Sequence, residues 1–290
     1  MAKDIQWFPG HMAKALREIR ERIKVVDIVI ELCDARAPYS SINPELYNII
    51  QNKPRIMILT KKDLAMDSIT NEWLEYFENK GYIAKSMNLN KDNLDVIFSL
   101  SKICLKEKIE KDKRRGLKPQ PIRALVVGIP NVGKSTFINK MSKRKAANVG
   151  NMPGVTKAQQ WIKIKNDFEL LDTPGVLWPK FENQVIGTRL ALIGTIKQDI
   201  LDRSSLAYSL ISFLFNNYPS FLVNRYNIEL PEVLDEETYI DVLNDIGSKR
   251  GLLKAKGEIE FSKVEDLVLK EFKEGILGKC SLEKVSDIDG

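Results

Sequence analysis

Arg123-Ala124-Leu125-Val126-Val127-Gly128-Ile129-Pro130-Asn131-Val132-Gly133-Lys134-Ser135 runs from an apolar, β-branched stretch into a loop matching G-x-x-x-x-G-K-S. A strand before the loop and a helical pattern from about Lys134 to Lys143 after it form the context that a phosphate-binding loop needs. The glycines let backbone N–H groups wrap a β-phosphate, and the helix N-terminus adds a favourable dipole. Lys134 is expected to bridge β- and γ-phosphates and Ser135 to ligate magnesium, with Asn131, Val132, Gly133 and Thr136 in the same nucleotide site.

Further along, Phe168-Glu169-Leu170-Leu171 leads into Asp172-Thr173-Pro174-Gly175. This places Asp172 to hold magnesium through water and the Gly175 N–H to contact a γ-phosphate. Between the two motifs lies Gly150–Lys157, in which Thr156 can sense the γ-phosphate and complete the metal shell; an ordinary loop threonine is the competing reading. Trp161–Lys165 alternates strictly and, with Phe168–Leu171, predicts an antiparallel edge hairpin turning at Asn166-Asp167. After the glycine of such a motif many nucleotide hydrolases carry a glutamine that orients water, whereas Val176 stands here and cannot. Slow intrinsic hydrolysis is therefore expected. The nucleophile would be oriented by a partner's residue, by a monovalent cation held near Asn131, or by His11, the single histidine. A near-neutral pKa suits His11 to proton transfer, and packing beside Trp7 and Phe8 is its plainer reading.

Toward the N-terminus, Val25–Leu32 and Arg55–Leu59 are apolar on both parities, as in parallel strands covered on both faces. The second ends in Thr60-Lys61-Lys62-Asp63, an Asn-Lys-x-Asp element with Thr in place of Asn. The Asp63 carboxylate can accept from guanine N1–H and N2–H₂, donors that adenine does not offer in that arrangement. Read as a buried group, Asp63 would be left unpaired by the wrong base. Lys61 would lie along base and ribose, the Thr60 hydroxyl would replace the usual amide, and Ser86-Met87-Asn88 supplies a second base-side loop through Asn88. Alone, the Lys-Lys-Asp string reads equally well as a solvated strand end. Since the guanine element precedes the phosphate loop, the order is circularly permuted.

The chain has 290 residues, 43% hydrophobic and 29% charged, enough for a nucleotide-binding core plus a second domain and against global disorder. We expect a nucleotide domain over 1–186, with a base-recognition half at 1–105, a charged linker at 106–121 and a phosphate-loop half at 122–186. A helical domain is expected over 187–290, where Leu206, Leu210, Phe213 and Leu214, then Val264, Leu267, Val268 and Phe272, recur at helical spacing. Three scattered cysteines point to reduced thiols in a cytosolic setting. Neither a signal peptide nor a membrane span is indicated. The net charge of +6 suits a polyanionic partner. Lys249-Arg250, Lys254, Lys256 and Lys263 fit phosphate contacts better than base readout, with a solvated face as the alternative.

Trp7-Phe8-Pro9-Gly10-His11-Met12, Asp34-Ala35-Arg36, Thr60–Asp63, Gly128–Ser135 and Asp172–Gly175, in that order, resemble the circularly permuted GTPases of the ribosome biogenesis GTPase A (YlqF-type) family, over almost the whole length. The resemblance implies an α/β fold: a P-loop GTPase doubly wound sheet in circularly permuted order, with a small helical C-terminal domain. It implies a cytoplasmic factor for late assembly of the large (50S) ribosomal subunit, monomeric when free, that binds rRNA and uses GTP, GDP and magnesium. Hydrolysis would be faster on the ribosome and would release the factor. Potassium activation through a phosphate-loop asparagine matching Asn131 belongs to several members, and a hydrophobic residue stands in the family where Val176 does. In permuted order the switch can feed the C-terminal domain directly, from Asp172–Val176 through Trp178-Pro179 into Gly187–Ile196. A signalling switch acting on a protein partner without RNA, and an ATP-driven phosphotransferase, are the competing readings.

Overall fold

The computed structural model describes residues 10–50, 52–143, 160–173, 175–177, 183–196 and 202–288. The chain divides into two compact units, Met1–Gln184 together with Ser281–Gly290, and Val185–Cys280. The expected helical domain over 187–290 is thus corrected at its end: the last residues belong with the nucleotide unit. Nothing in local sequence could signal this, because the contacts that bind them run back more than two hundred positions.

The first unit holds one six-stranded sheet in the order β3-β2-β1-β4-β6-β5. Its strands are β1 (Ile28–Asp34), β2 (Arg55–Thr60), β3 (Ile83–Met87), β4 (Ile122–Gly128), β5 (Gln160–Lys165) and β6 (Phe168–Asp172). All neighbours are parallel except β5 and β6, which form the antiparallel edge hairpin, with a register shift between Lys163 and Lys165. Every residue of β1 and β2 is buried, as expected of strands that are apolar on both parities and covered on both faces. Glu31 of β1 tolerates burial because Arg55 Nη1 of β2 meets it at 3.1 Å, and the Arg55 guanidinium lies over the rings of Tyr47 and Tyr82.

Helix α1 (Gly10–Arg22) buries Met12, Ala15, Leu16 and Ile19 at helical spacing and packs on α2 (Pro44–Ile50). Helix α3 (Asp67–Asn79) presents Ile69, Trp73 and Phe77 to Met57 and Leu59, and Val285 and Ile288 from the chain's end pack onto this cluster. Helix α4 (Val96–Cys104) sets Phe98 edge-on to Phe168. The charged segment expected to be mostly linker contains a nine-residue exposed helix, α5 (Lys106–Arg114). Helix α6 (Lys134–Ser142) follows the phosphate loop.

In the second unit, α7 (Gln184–Leu192, whose first residue closes the first unit), α8 (Arg203–Asn217), α9 (Pro219–Tyr226), α10 (Glu236–Arg250) and α11 (Phe261–Glu274) bury Leu206, Leu210, Leu222, Val242, Ile246, Val264, Val268 and Phe272. Phe213 and Leu267, expected in this core, are half-buried, and Ile211 and Leu269 are buried instead. Asp202 caps α8, and Asp235 with Thr238 forms a capping box on α10. A short hairpin bridged at Leu253 and Ile259 joins α10 to α11. Ile259 lies so close to α10 that a Cβ on Gly247 would come within 2.6 Å of it. Among the described residues no helix is long and apolar enough to cross a membrane.

Candidate functional site: a phosphate loop and a base-recognition turn

Strands β1, β2 and β3 run outward to one side, and β4 then returns to pair on the other side of β1. The order reverses between β1 and β4, and the crevice outside the carboxyl ends of strands at such a point is where open α/β sheets bind ligands. The motifs converge on these ends. Asp34 closes β1, Thr60 closes β2, Gly128 closes β4 and Asp172 closes β6.

The phosphate loop winds from Gly128 to the N-terminus of α6. Gly133 caps that helix at φ 106°, a conformation that suits glycine, and a Cβ there would meet Leu89 Cδ1 at 2.9 Å. Asn131 also takes the left-handed backbone, at φ 59°. The Lys134 ammonium is buried and donates to the carbonyls of Gly128 (3.0 Å) and Ile129 (2.8 Å), so it sits over its own loop. Burial pushes its pKa down to about 8 against the opposing pull of Asp172. Ser135 and Thr136, in the first turn of α6, are half-buried.

Gly175 lies directly on this loop: a Cβ there would come within 2.7 Å of Pro130 Cα and 2.9 Å of Lys134 Nζ. Only a residue without a side chain brings the switch backbone this near the phosphate-binding groups. Val176 is fully buried, and its carbonyl accepts from Asn43 Nδ2 at 2.9 Å, so this position is fixed in the core and faces no water. Thr173 Oγ1 donates to the Val126 carbonyl at 2.6 Å and ties the end of β6 to β4.

Asp172 is 1% exposed, and neither carboxylate oxygen has a hydrogen-bond partner among the described residues. Burial raises its pKa to about 6, with Lys134 pulling the other way. Two orphaned anionic oxygens at the carboxyl end of a strand are a donor set suited to a hard divalent cation. Ser135 supplies the hydroxyl that such an ion takes in phosphate-loop proteins.

On the base side, the Thr60 hydroxyl lies 2.8 Å from the Val132 carbonyl and 3.1 Å from that of Cys33, joining base turn, phosphate loop and β1. Lys61 adopts a left-handed backbone, and its ammonium meets Asp34 Oδ2 at 2.9 Å. Asp34 is buried; burial would raise its pKa, but Arg36 and Lys61 together hold it well below the usual carboxylate range. Asp63 sits in the 3-10 turn Lys62–Leu64 and is exposed, which corrects the expectation of a buried carboxylate. An exposed carboxylate left without a partner carries less of the penalty that a permanently buried one would impose. The Asn88 side-chain oxygen accepts from the N–H groups of Asn90 (2.8 Å) and Lys91 (3.2 Å), so it folds the loop after β3.

Thr156, the aromatic residues before Gly10, Pro174 and Trp178-Pro179 lie outside the described residues, as does the His11 side chain, although its backbone belongs to α1. Sequence reasoning gave no part to Asn43, Thr173 or Glu283. The first two make hydrogen bonds to main-chain carbonyls; Asn43 stands outside every motif, and Thr173 occupies a position between Asp172 and Gly175 to which no role was given. Glu283, whose carboxylate accepts from the Tyr39 and Ser40 N–H groups, acts across 243 positions at Ser40.

A family model described as 50S ribosome-binding GTPase matches residues 123–236. The chain is 48% identical to ribosome biogenesis GTPase A of Bacillus cereus, over 96% of this chain and 93% of that one. It is 29% identical to the Thermotoga maritima protein of the same name, over 98% and 96%. Its fold is similar to the crystal structure of GNP-bound YlqF from T. maritima, at a TM-score of 0.63 and 26% identity, covering 93% of this chain and 98% of that one.

Proposed function

The chain belongs to the ribosome biogenesis GTPase A family, and on that premise we propose that it binds and hydrolyses GTP as a factor for late assembly of the large (50S) ribosomal subunit. The observation that carries this reading is the meeting, at the β1/β4 reversal, of a phosphate loop, a Thr-Lys-Lys-Asp turn and a buried, unpartnered Asp172.

In the proposed reaction the loop N–H groups and Lys134 bind the β- and γ-phosphates, and the N–H of Gly175 holds a γ-phosphate oxygen. Asp63 selects guanine, Lys61 lies along the base, and Thr60 fixes the turn relative to the loop. Ser135 and Asp172, with Thr156, would hold magnesium, which when bound neutralises charge on the β- and γ-phosphates. Val176 does nothing for water, so intrinsic hydrolysis is slow. The large subunit stimulates it by supplying or ordering the group that orients the nucleophile, with His11 as this chain's contribution and potassium at Asn131 as a further aid.

The rRNA contact falls to the hairpin between α10 and α11. Lys254 and Lys256 are exposed there, with Lys249 exposed in the last turn of α10, and the hairpin is pinned to α10 through Gly247, so it presents its charge on a fixed support. Such lysines hold phosphates rather than read bases. The factor acts in the cytoplasm as a monomer and leaves the subunit after hydrolysis. GTP turnover by the full chain with and without large subunits, in potassium and in sodium, tests the proposal. Stimulation by subunits is the expected result; unchanged turnover with no binding in either salt would mean that the partner is wrong.

A further inference from the structure

Lys61 joins β2 to the turn that carries Asp63, and it does so in the left-handed backbone at φ 56°. For a residue with a side chain that conformation is unfavourable and persists only where surroundings impose it. Its ammonium meets Asp34 Oδ2 at 2.9 Å. Asp34 is in turn held from several sides: Arg36 Nε donates to Oδ1 at 3.0 Å, Arg36 Nη2 to Oδ2 at 2.9 Å, and the Arg36 N–H to Oδ1 at 3.1 Å. The Ala35 N–H donates to the Thr60 carbonyl at 2.9 Å, so the two strand ends are bound together on either side of the ion pair.

The loop that follows is closed by the other end of the chain. The Leu282 N–H donates to the Arg36 carbonyl at 2.7 Å. The Glu283 carboxylate accepts from the N–H groups of Tyr39 (2.8 Å) and Ser40 (3.1 Å) and from the Ser40 hydroxyl, and it is 1% exposed. Trp73 Nε1 donates to the Glu283 carbonyl at 3.2 Å, and the Met66 N–H to Ser281 Oγ at 3.1 Å. A carboxylate receiving two backbone N–H groups and a hydroxyl in a dry setting is a strong clamp, because each bond is charge-assisted.

Resting on the guanine-nucleotide reading of this site, we propose that Asp34 is a positioning residue for guanine recognition, seating Lys61, and that the Ser281–Glu283 strap keeps Asp34 in register by closing the Arg36–Ser40 loop. Base affinity is then set partly by the chain's last segment. The helical unit is joined to the nucleotide unit by chain at Gln184 and again at Ser281, and the second junction leads straight into this loop. By linkage, whatever biases the strap changes nucleotide affinity, and bound nucleotide biases the strap to the same extent.

Calorimetric titration of the full chain with GDP tests this through double-mutant cycles. Asp34→Asn and Lys61→Met are each expected to weaken GDP by about tenfold, and the double variant by no more than Lys61→Met alone. Glu283→Gln is expected to weaken GDP by about threefold alone and to add nothing on top of Lys61→Met. Multiplying effects in either cycle would overturn the proposal, because a merely structural role damages binding independently of Lys61. Thermal midpoints accompany each titration; if Asp34→Asn, which leaves Arg36 without its counter-charge, does not fold, the Glu283 and Lys61 cycle carries the test alone. Failure of the unmodified protein to bind GDP would sink the guanine reading instead, so the two failures are distinguishable.

Discussion

The Thr60 hydroxyl and the Val132 carbonyl, 72 positions apart, lie 2.8 Å from each other. This contact fixes the distance between the turn proposed to read a base and the loop proposed to hold phosphates, a distance that a nucleotide bound as proposed must match at both ends. Thr60→Val keeps the shape and removes the donor, leaving a buried carbonyl unsatisfied. The expected cost is about 1–2 kcal/mol of stability and a similar factor in GDP affinity, read by denaturant unfolding and GDP titration. Unchanged affinity alongside reduced stability would confine Thr60 to the core.

Lys134 gives a pH signature. Its pKa in the folded protein is pushed down to about 8, below the ordinary lysine value, so it deprotonates in the free protein before it does in the unfolded chain. The sign follows: between pH 8 and the ordinary lysine pKa the unfolded chain binds more protons, and folding stability rises with pH. Phosphate binding needs the charged form, so GDP affinity should fall as pH climbs above about 8, by about tenfold at pH 9. A flat GDP affinity from pH 7 to 9 would mean that the ammonium stays charged across that range or takes no part in holding phosphate.

Removing the orphaned charge at Asp172 should separate stability from activity. Asp172→Asn relieves a buried carboxylate without partners, so the thermal midpoint of the metal-free protein is expected to hold or rise by a few degrees. Magnesium-dependent GTP turnover should drop by about a hundredfold or more. Loss of both stability and activity would assign Asp172 a structural part.

The hairpin lysines predict a salt dependence. Lys254→Ala with Lys256→Ala should weaken RNA binding about uniformly across sequences and reduce the slope of log affinity against log salt by about one to two. GDP affinity should stay as it is. An unchanged slope moves the RNA surface elsewhere.

His11→Ala should leave GDP binding and intrinsic turnover intact and lower subunit-stimulated turnover by about a hundredfold, the range of a general acid-base group. Full stimulation in the variant would end its catalytic assignment.

Much of this architecture was legible in local pattern. The runs at Val25–Leu32, Arg55–Leu59 and Arg123–Val127 became β1, β2 and β4, because a strand covered on both faces must be apolar on both parities. The β5/β6 hairpin was legible from alternation around Asn166-Asp167. Motif residues fell at strand ends because the chemistry of phosphate and base recognition restricts what can stand there. Contacts made by ordinary side chains to distant main chain were not legible: Asn43 to Val176, Thr173 to Val126 and Glu283 to Tyr39 rest on the folded arrangement and leave no periodicity. Exposure was misjudged at Asp63, since specificity chemistry says which group is needed and is silent on how far it stands from solvent before the base arrives.

The strap also sets an order of events during synthesis. Strand β1 is made first, finds β2 soon after, and waits for β4, with Val29 pairing to Leu125 far down the chain. Such non-local parallel pairing folds slowly, and its open edge is exposed meanwhile. The loop beside β1 is finished only when Leu282 and Glu283 arrive, the latter 243 positions after Ser40. A chain stalled short of Leu282 therefore leaves the base-side loop unclosed, so closure of that loop reports that synthesis has passed this segment.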